Sequence, residues 1–309
     1  MLQSIFDDIK REFDYGHMIN RLIIINCAFW LLISVVWLVT TLANGWETPG
    51  FYTDFVHFFS ASTSLQHTLL HIWTPLTYMF THEGFFHLFW NMIILFWFGR
   101  IFGDLLGDRR VLPVYLLGGL AGAVFYWLLM PFAPGEADRF MIGASGAVLC
   151  ILVAAGATAP DYVIRLFLLG NVKLKWIVAA VCLINILGMG VLDNIGGTFG
   201  HLGGITMGFL YVNQLHNGRD LAEPINRWID KISNFFRGIG EKRTAKNRPG
   251  PKVAYRNKNA QRNAGKSQPT RNSVSHQEQL DTILDKIKDR GYESLSKEEK
   301  AFLFNASSK

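Results

Sequence analysis

No Lys or Arg stands anywhere between Arg21 and Arg100. A soluble domain keeps such residues spread over its surface, so this gap excludes an ordinary globular surface over that stretch. Cysteine is also scarce. Cys27, Cys150 and Cys182 each lie inside an apolar run, where a thiol acts as a small packing residue. An odd number without regular spacing excludes a disulfide framework and a zinc-finger pattern. Acidic and basic residues mix through Met1–Arg21, and no small-residue cleavage site follows the next apolar run, so a secretory leader is not expected. What the chain does have is apolar bulk: of 309 residues, 50% are hydrophobic and 17% charged. The net charge of +6 belongs to the C-terminal part. That asymmetry predicts a membrane domain followed by a basic soluble segment.

A helix crosses the roughly 30 Å of membrane hydrocarbon with about 20 apolar residues. Six stretches meet or approach this: 22–43, 85–103, 111–131, 141–159, 175–192 and 197–215. The later ones are rich in Gly and Ala, which lets helices pack closely. The expected fold is therefore all-α, a polytopic bundle of six transmembrane helices over 22–217, after an N-terminal segment, 1–21.

Positive charge sets the orientation. Lys10, Arg11 and Arg21 precede the first span; Arg100, Arg109 and Arg110 fill the second connection, and Arg165, Lys173 and Lys175 the fourth. The connections between them, 44–84, 132–140 and 193–196, hold only Arg139 against several acids. Both termini of this multi-pass chain are thus expected in the cytoplasm. The long outer connection carries Trp46, Phe51, Phe55, Phe58 and Trp73 among its aromatics, which favour the headgroup level.

Residues 218–276 read as a basic, disordered linker, because 241–272 hold ten Lys or Arg against one acid. This tail is suited to anionic lipid, and no nucleic-acid partner is expected. Residues 277–309 read as a small helical hairpin: Leu280, Ile283, Leu284 and Ile287 keep helical spacing, Gly291 can end that helix, and Ser296 with Glu299 makes a capping box.

Polar groups inside a membrane are costly, so they are functional candidates. His87 and Asn91 fall in the first turns of the second span, Ser145 near the start of the fourth, and His201 at the start of the sixth. By the charge rule these spans all run inward. Three separate pieces of sequence thus place polar groups at one depth, which predicts a shared cavity opening outward. Ser145 stands in Gly143-Ala144-Ser145-Gly146, whose small residues let a substrate backbone approach. Free helix N–H groups there can stabilise an oxyanion. A serine nucleophile needs a base, and His201 is the candidate. His87 and Asn91, about 40° apart on one helix face, can both donate to one anionic oxygen. Gly196, Gly200, Gly204 and Gly208 recur every fourth residue and make a packing face beside His201. His82, just before the second span, is a further supporting candidate, with Gly143 and Gly146.

His82-Glu83-Gly84-Phe85-Phe86-His87 nearly spells the zinc motif H-E-x-x-H but has one residue too many. Histidines five apart point about 140° away from each other on a helix, so no metal or other cofactor is expected. A transporter would show internal repeats or intramembrane acids, and neither is present.

These motifs together resemble the rhomboid family. Its span-two pattern stands here as His82, His87 and Asn91. Its serine motif stands as Gly143-Ala144-Ser145-Gly146, and its span-six pattern as Gly196, Gly200, His201, Gly204 and Gly208, with Gly200 in place of Ala. The resemblance covers about 20–217. It implies a six-helix intramembrane serine endopeptidase with a Ser145–His201 dyad. It also implies oxyanion binding by His87, Asn91 and the Ser145 amide, and substrates that are transmembrane proteins. The chain departs from the family at Thr74, where Arg commonly follows Trp73, and at Leu149, where an aromatic commonly packs on the catalytic histidine. The tail hairpin is similar to a short module that follows some bacterial rhomboids, and the resemblance implies a multi-pass protein of the bacterial inner (plasma) membrane. The alternative is a rhomboid-like protein that binds clients, as a quality-control factor, without cutting them.

Overall fold

The computed structural model describes residues 2–133, 139–166, 170–187, 195–244, 282–287 and 294–307. Most of the expected linker (245–276), the ends of the fifth span and of two outer connections, and Leu280 and Gly291 lie outside them.

The described chain is mostly helical. Leading into the bundle are α1 (Leu2–Tyr15) and α2 (Met18–Ala43). The outer connection folds as α3 (Gly50–His57), β1 (Ala61–Ser62), α4 (Leu65–Leu70) and α5 (Thr74–Thr77). There follow α6 (Phe85–Leu106), α7 (Val111–Leu129), β2 (Phe140–Met141) and α8 (Ser145–Thr158). A hairpin of β3 (Val163–Leu166) and β4 (Gly170–Lys173) leads to α9 (Leu174–Leu187), α10 (Ile195–His216) and α11 (Ala222–Thr244). Each of the six apolar stretches thus overlaps a helix, the fifth as far as Leu187. Among the described residues, three segments, Met18–Ala43, Phe85–Leu106 and Asp108–Phe132, are long and apolar enough to cross a membrane.

Burial tells inner from outer helices. Along α2 only a narrow stripe, including Ile19, Leu22, Asn26 and Ile33, is buried, while Leu31, Val35, Leu38 and Leu42 face outward. A helix that is apolar all round but buried on one stripe suits a lipid-facing position. In α8, by contrast, every residue from Gly146 to Gly156 is buried. At about 1.5 Å per residue this helix is only ~21 Å long, and it is enclosed by α6, α7 and α10.

Close backbone approach builds that centre. A Cβ at Gly204 would fall 2.0 Å from the Gly146 carbonyl oxygen, so α10 lies directly on α8. Gly208 meets Cys150 and Val153 of α8, but Gly196 meets the Tyr126 ring of α7, and Gly200 meets Met141 of β2. The four glycines therefore serve three neighbours rather than one. Gly203, one step round the helix, lies against the Ala121 carbonyl of α7.

Buried tyrosines join the layers through backbone acceptors. Tyr78 donates to Gly119 O at 2.6 Å, and Tyr115 to Met79 O at 2.8 Å. The outer connection is held by Trp73 Nε1, which donates to Phe58 O at 2.8 Å, and by Thr77 Oγ1, which donates to Phe59 O at 2.9 Å. Thr74 is fully buried and bonded to His71 O. Strand β1 pairs antiparallel with β2 (Ala61 opposite Met141, Ser62 opposite Phe140), which ties that connection to the segment leading into Ser145.

One correction falls on the linker: residues 222–244, expected to be disordered, form α11. Its Ala222, Ile225, Ile229 and Ile232 keep helical spacing, and this outweighs the basic composition that begins further on. The β3–β4 hairpin was likewise not anticipated, since it occupies a connection read only for its charge. The C-terminal part is a separate unit. There, 282–287 form α12, and α13 spans Lys297–Ser307. Ser296 and Glu299 exchange bonds at its start: Ser296 N–H donates to the Glu299 carboxylate at 2.7 Å, and Glu299 N–H to Ser296 Oγ at 3.2 Å. Lys286 pairs with Glu299 at 2.9 Å.

Candidate active site

Ser145 is the first residue of α8, with Ala144 as its cap. The first helical bond runs from Val148 N–H to Ala144 O at 2.9 Å, so the N–H groups of Ser145, Gly146 and Ala147 have no acceptor within the helix. They present the positive end of the helix beside the hydroxyl. Gly143 has φ +115, which L side chains rarely adopt, and a Cβ there would lie 2.7 Å from the His87 ring. Glycine is required at that position on both counts.

His201 stands in the second turn of α10, and its Nε2 is 2.8 Å from Ser145 Oγ. With Nε2 unprotonated, the serine hydroxyl donates to it, which is the arrangement a general base needs. The Gly204–Gly146 contact lies one turn along α10 and brings the two backbones close enough for this bond.

His87 and Asn91 lie on α6. Asn91 Nδ2 donates to His87 O at 2.9 Å and lies 3.4 Å from His82 Nε2. His82 is fully buried in the loop before α6. Its Nε2 accepts from Ala144 N–H at 3.3 Å, and its Nδ1 lies 3.3 Å from Phe80 O. Both contacts are satisfied by one neutral tautomer, with the proton on Nδ1. His82 thus grips the residue that precedes Ser145. Among the described residues, no group of three His, Cys, Asp or Glu is placed to hold a metal ion.

A cavity of about 340 Å³ is lined by Phe86, His87, Trp90 and Asn91 of α6, Ser145 and Leu149 of α8, and Asn185 of α9. A larger one, about 490 Å³, lies between α2 and the start of α6 around Glu83, whose carboxylate accepts from Tyr52 OH. Ser34 and His82 line it, whereas the smaller cavity is lined by Ser145, whose hydroxyl meets His201 at 2.8 Å, so the smaller one is the candidate site. The sequence reading passed over Asn185. An amide in an otherwise apolar helix was the signal that could have found it.

A model of the Rhomboid domain family matches residues 70–217, and one of a family of unknown function (DUF6576) matches 271–309. The chain is similar to RHOMBOID-like protein 4 of Arabidopsis thaliana, 31% identical over 52% of this chain and 36% of that one. It is also similar to RHOMBOID-like protein 1 of the same plant, at 28% over 50% and 40%. The bovine mitochondrial presenilin-associated rhomboid-like protein matches at 27% over 55% and 45%. The chain spans less than half the length of each of these three relatives.

Proposed function

We propose that this chain, which belongs to the rhomboid family through residues 70–217, is an intramembrane serine endopeptidase. The observation that carries the reading is the 2.8 Å contact between Ser145 Oγ and His201 Nε2 at the start of α8. His201 takes the hydroxyl proton as Oγ attacks the substrate carbonyl carbon. The oxyanion forms against the Ser145 amide, with His87 and Asn91 as further donors. Asn91 must then turn an N–H away from its present partners. His201 passes its proton to the leaving amine, and the acyl-enzyme is hydrolysed by water that the same histidine activates.

In this reading α8, α9 and α10 join α2, α6 and α7 as a six-helix bundle in a plasma membrane, with both termini cytoplasmic by the charge rule. The substrates are transmembrane proteins, which reach Ser145 through the cavity between α6 and α9. The basic segment 241–272 contacts anionic lipid, and 277–309 is an ancillary module. The test is fluorophosphonate labelling of the full chain in liposomes, together with cleavage of a single-span substrate. Labelling at Ser145 and cleavage lost in Ser145→Ala are expected. A folded chain that retains clients without labelling or cleavage would overturn the protease in favour of a binding protein.

A further inference from the structure

Two helices outside the bundle carry apolar stripes that stand exposed among the described residues. In α1, Ile5, Phe6, Ile9 and Phe13 fall on one face, and all are exposed, Phe6 at 70%. In α11, Trp228 and Ile232 do the same, with Trp228 at 68%. An isolated helix as short as α1, 14 residues, is marginal in water. Each stripe therefore needs a surface to lie on.

The structure also sets the level of both helices. The corner between α6 and α7, Asp108-Arg109-Arg110, joins two candidate membrane spans. Asp108 accepts from the Met18 amide at the start of α2 at 3.0 Å, directly after α1. Asn20 Nδ2 donates to Glu12 at 2.7 Å and Arg21 to Asp14 O at 2.9 Å, which fold α1 back beside α2. Arg109 pairs with Asp230 of α11, and Arg110 with Asp220 just before it at 2.7 Å. One corner at the end of the apolar region thus fastens both amphipathic helices.

We propose that α1 and α11 are interfacial helices, lying along one face of the same bilayer with these stripes sunk to the headgroup–acyl boundary. Segregated faces, apolar aromatics on one side and charge on the other, are the signature of such helices. Trp228 suits that depth. The pair forms a float at the end of the bundle remote from Ser145, which holds the bundle at fixed depth and tilt. The inference rests on α2, α6 and α7 crossing a bilayer and not on the serine chemistry.

The test uses the full chain in liposomes, on a background of Cys27→Ala, Cys150→Ala and Cys182→Ala. Single cysteines replace Ile9 or Ile232 in the stripes and Arg11 or Arg227 on the charged faces, each labelled with an environment-sensitive fluorophore. Labels at 9 and 232 should emit at shorter wavelength and be quenched several-fold more by shallow lipid-borne spin labels than by aqueous iodide. Labels at 11 and 227 should show the reverse. Iodide quenching at the stripe positions would overturn the proposal, and so would protection from both quenchers, which would mean a protein partner. Hydrogen exchange on the unsubstituted chain is the second measurement: α1 amides should be slowed in vesicles, and free exchange along α1 would refute it. A chain washed from vesicles by alkaline carbonate would refute the membrane reading itself.

Discussion

The Nε2 of His82 accepts the backbone N–H of Ala144 at 3.3 Å, so a histidine outside the Ser145–His201 pair holds the residue before Ser145. Removing it leaves a buried N–H without a partner, which costs about 1–3 kcal/mol. His82→Ala should therefore lower both the melting temperature and kcat on a transmembrane substrate, with a smaller effect on KM. His82→Gln, which restores an acceptor, should recover part of both. An unchanged kcat in a folded His82→Ala protein would leave that bond without consequence for catalysis.

His201 and Asn91 should separate by magnitude. His201→Ala should abolish turnover almost entirely, because an unassisted serine hydroxyl is scarcely ionised near neutral pH. Asn91→Ala should cost less, about 10²–10³ in rate or below, since the other donors persist. The double variant should fall short of the product of the two. Turnover by folded single and double variants decides it, and a His87→Ala chain that is dead while His201→Ala works would reverse the roles.

Gly204→Ala puts a methyl 2.0 Å from the Gly146 carbonyl oxygen, where both partners are backbone. Overpacking of this kind costs about 1–3 kcal/mol or more, and it widens the gap between α8 and α10. Melting temperature and fluorophosphonate labelling should both drop. Gly196→Ala, which meets only the Tyr126 ring at 2.9 Å, should be milder.

Asn185 is half-buried, on the α9 wall of the cavity that holds Ser145. Its Nδ2 already bonds Val181 O at 2.8 Å, which leaves its carbonyl oxygen as the acceptor for substrate. Asn185→Leu should raise KM or move the cut site by an effect of about tenfold, ~1.4 kcal/mol, while fluorophosphonate labelling of Ser145 stays normal. Equal loss of labelling and cleavage would instead mark a structural role.

Asp220 lies between α10 and α11. Burial raises its pKa, but the bonds from Arg110, the Ala222 amide and Tyr211 outweigh this and hold it below the ordinary 3.8. A depressed carboxylate stabilises the fold above that ordinary value, and the contribution disappears as pH falls through the lower folded pKa. Attachment of α11 should thus survive at neutral pH and fail in strong acid. Asp220→Asn should weaken it at pH 7 by about 1 kcal/mol, the pair being partly exposed. Hydrogen exchange of α11 against pH measures both.

Much was legible before any coordinates. Apolar length located six segments that each overlap a helix among the described residues, because a residue type that avoids water can be recognised one at a time. Ser145, His87, Asn91 and His201 stood out for the converse reason, as polar groups where none should be. The Ser296–Glu299 capping box was readable because it is local. The stripe of α11 was equally local, and was hidden only by the basic composition that follows it.

The sequence by itself thus determined which segments avoid water, which polar residues lie among them and in what order they come. Only the tertiary structure decided which faces meet. In a bundle where lipid-facing and buried residues are both apolar, composition carries no signal of helix rotation. So the division of Gly196, Gly200, Gly203, Gly204 and Gly208 among different neighbours could not be read from their spacing. The grip of His82 on Ala144 joins residues 62 positions apart. The Asp108–Arg110 corner collects partners from distant parts of the sequence, the Met18 amide and the carboxylates of Asp220 and Asp230. Such contacts depend on the relative placement of whole helices, which is set by backbone approach at glycine and by the few buried hydrogen bonds between layers.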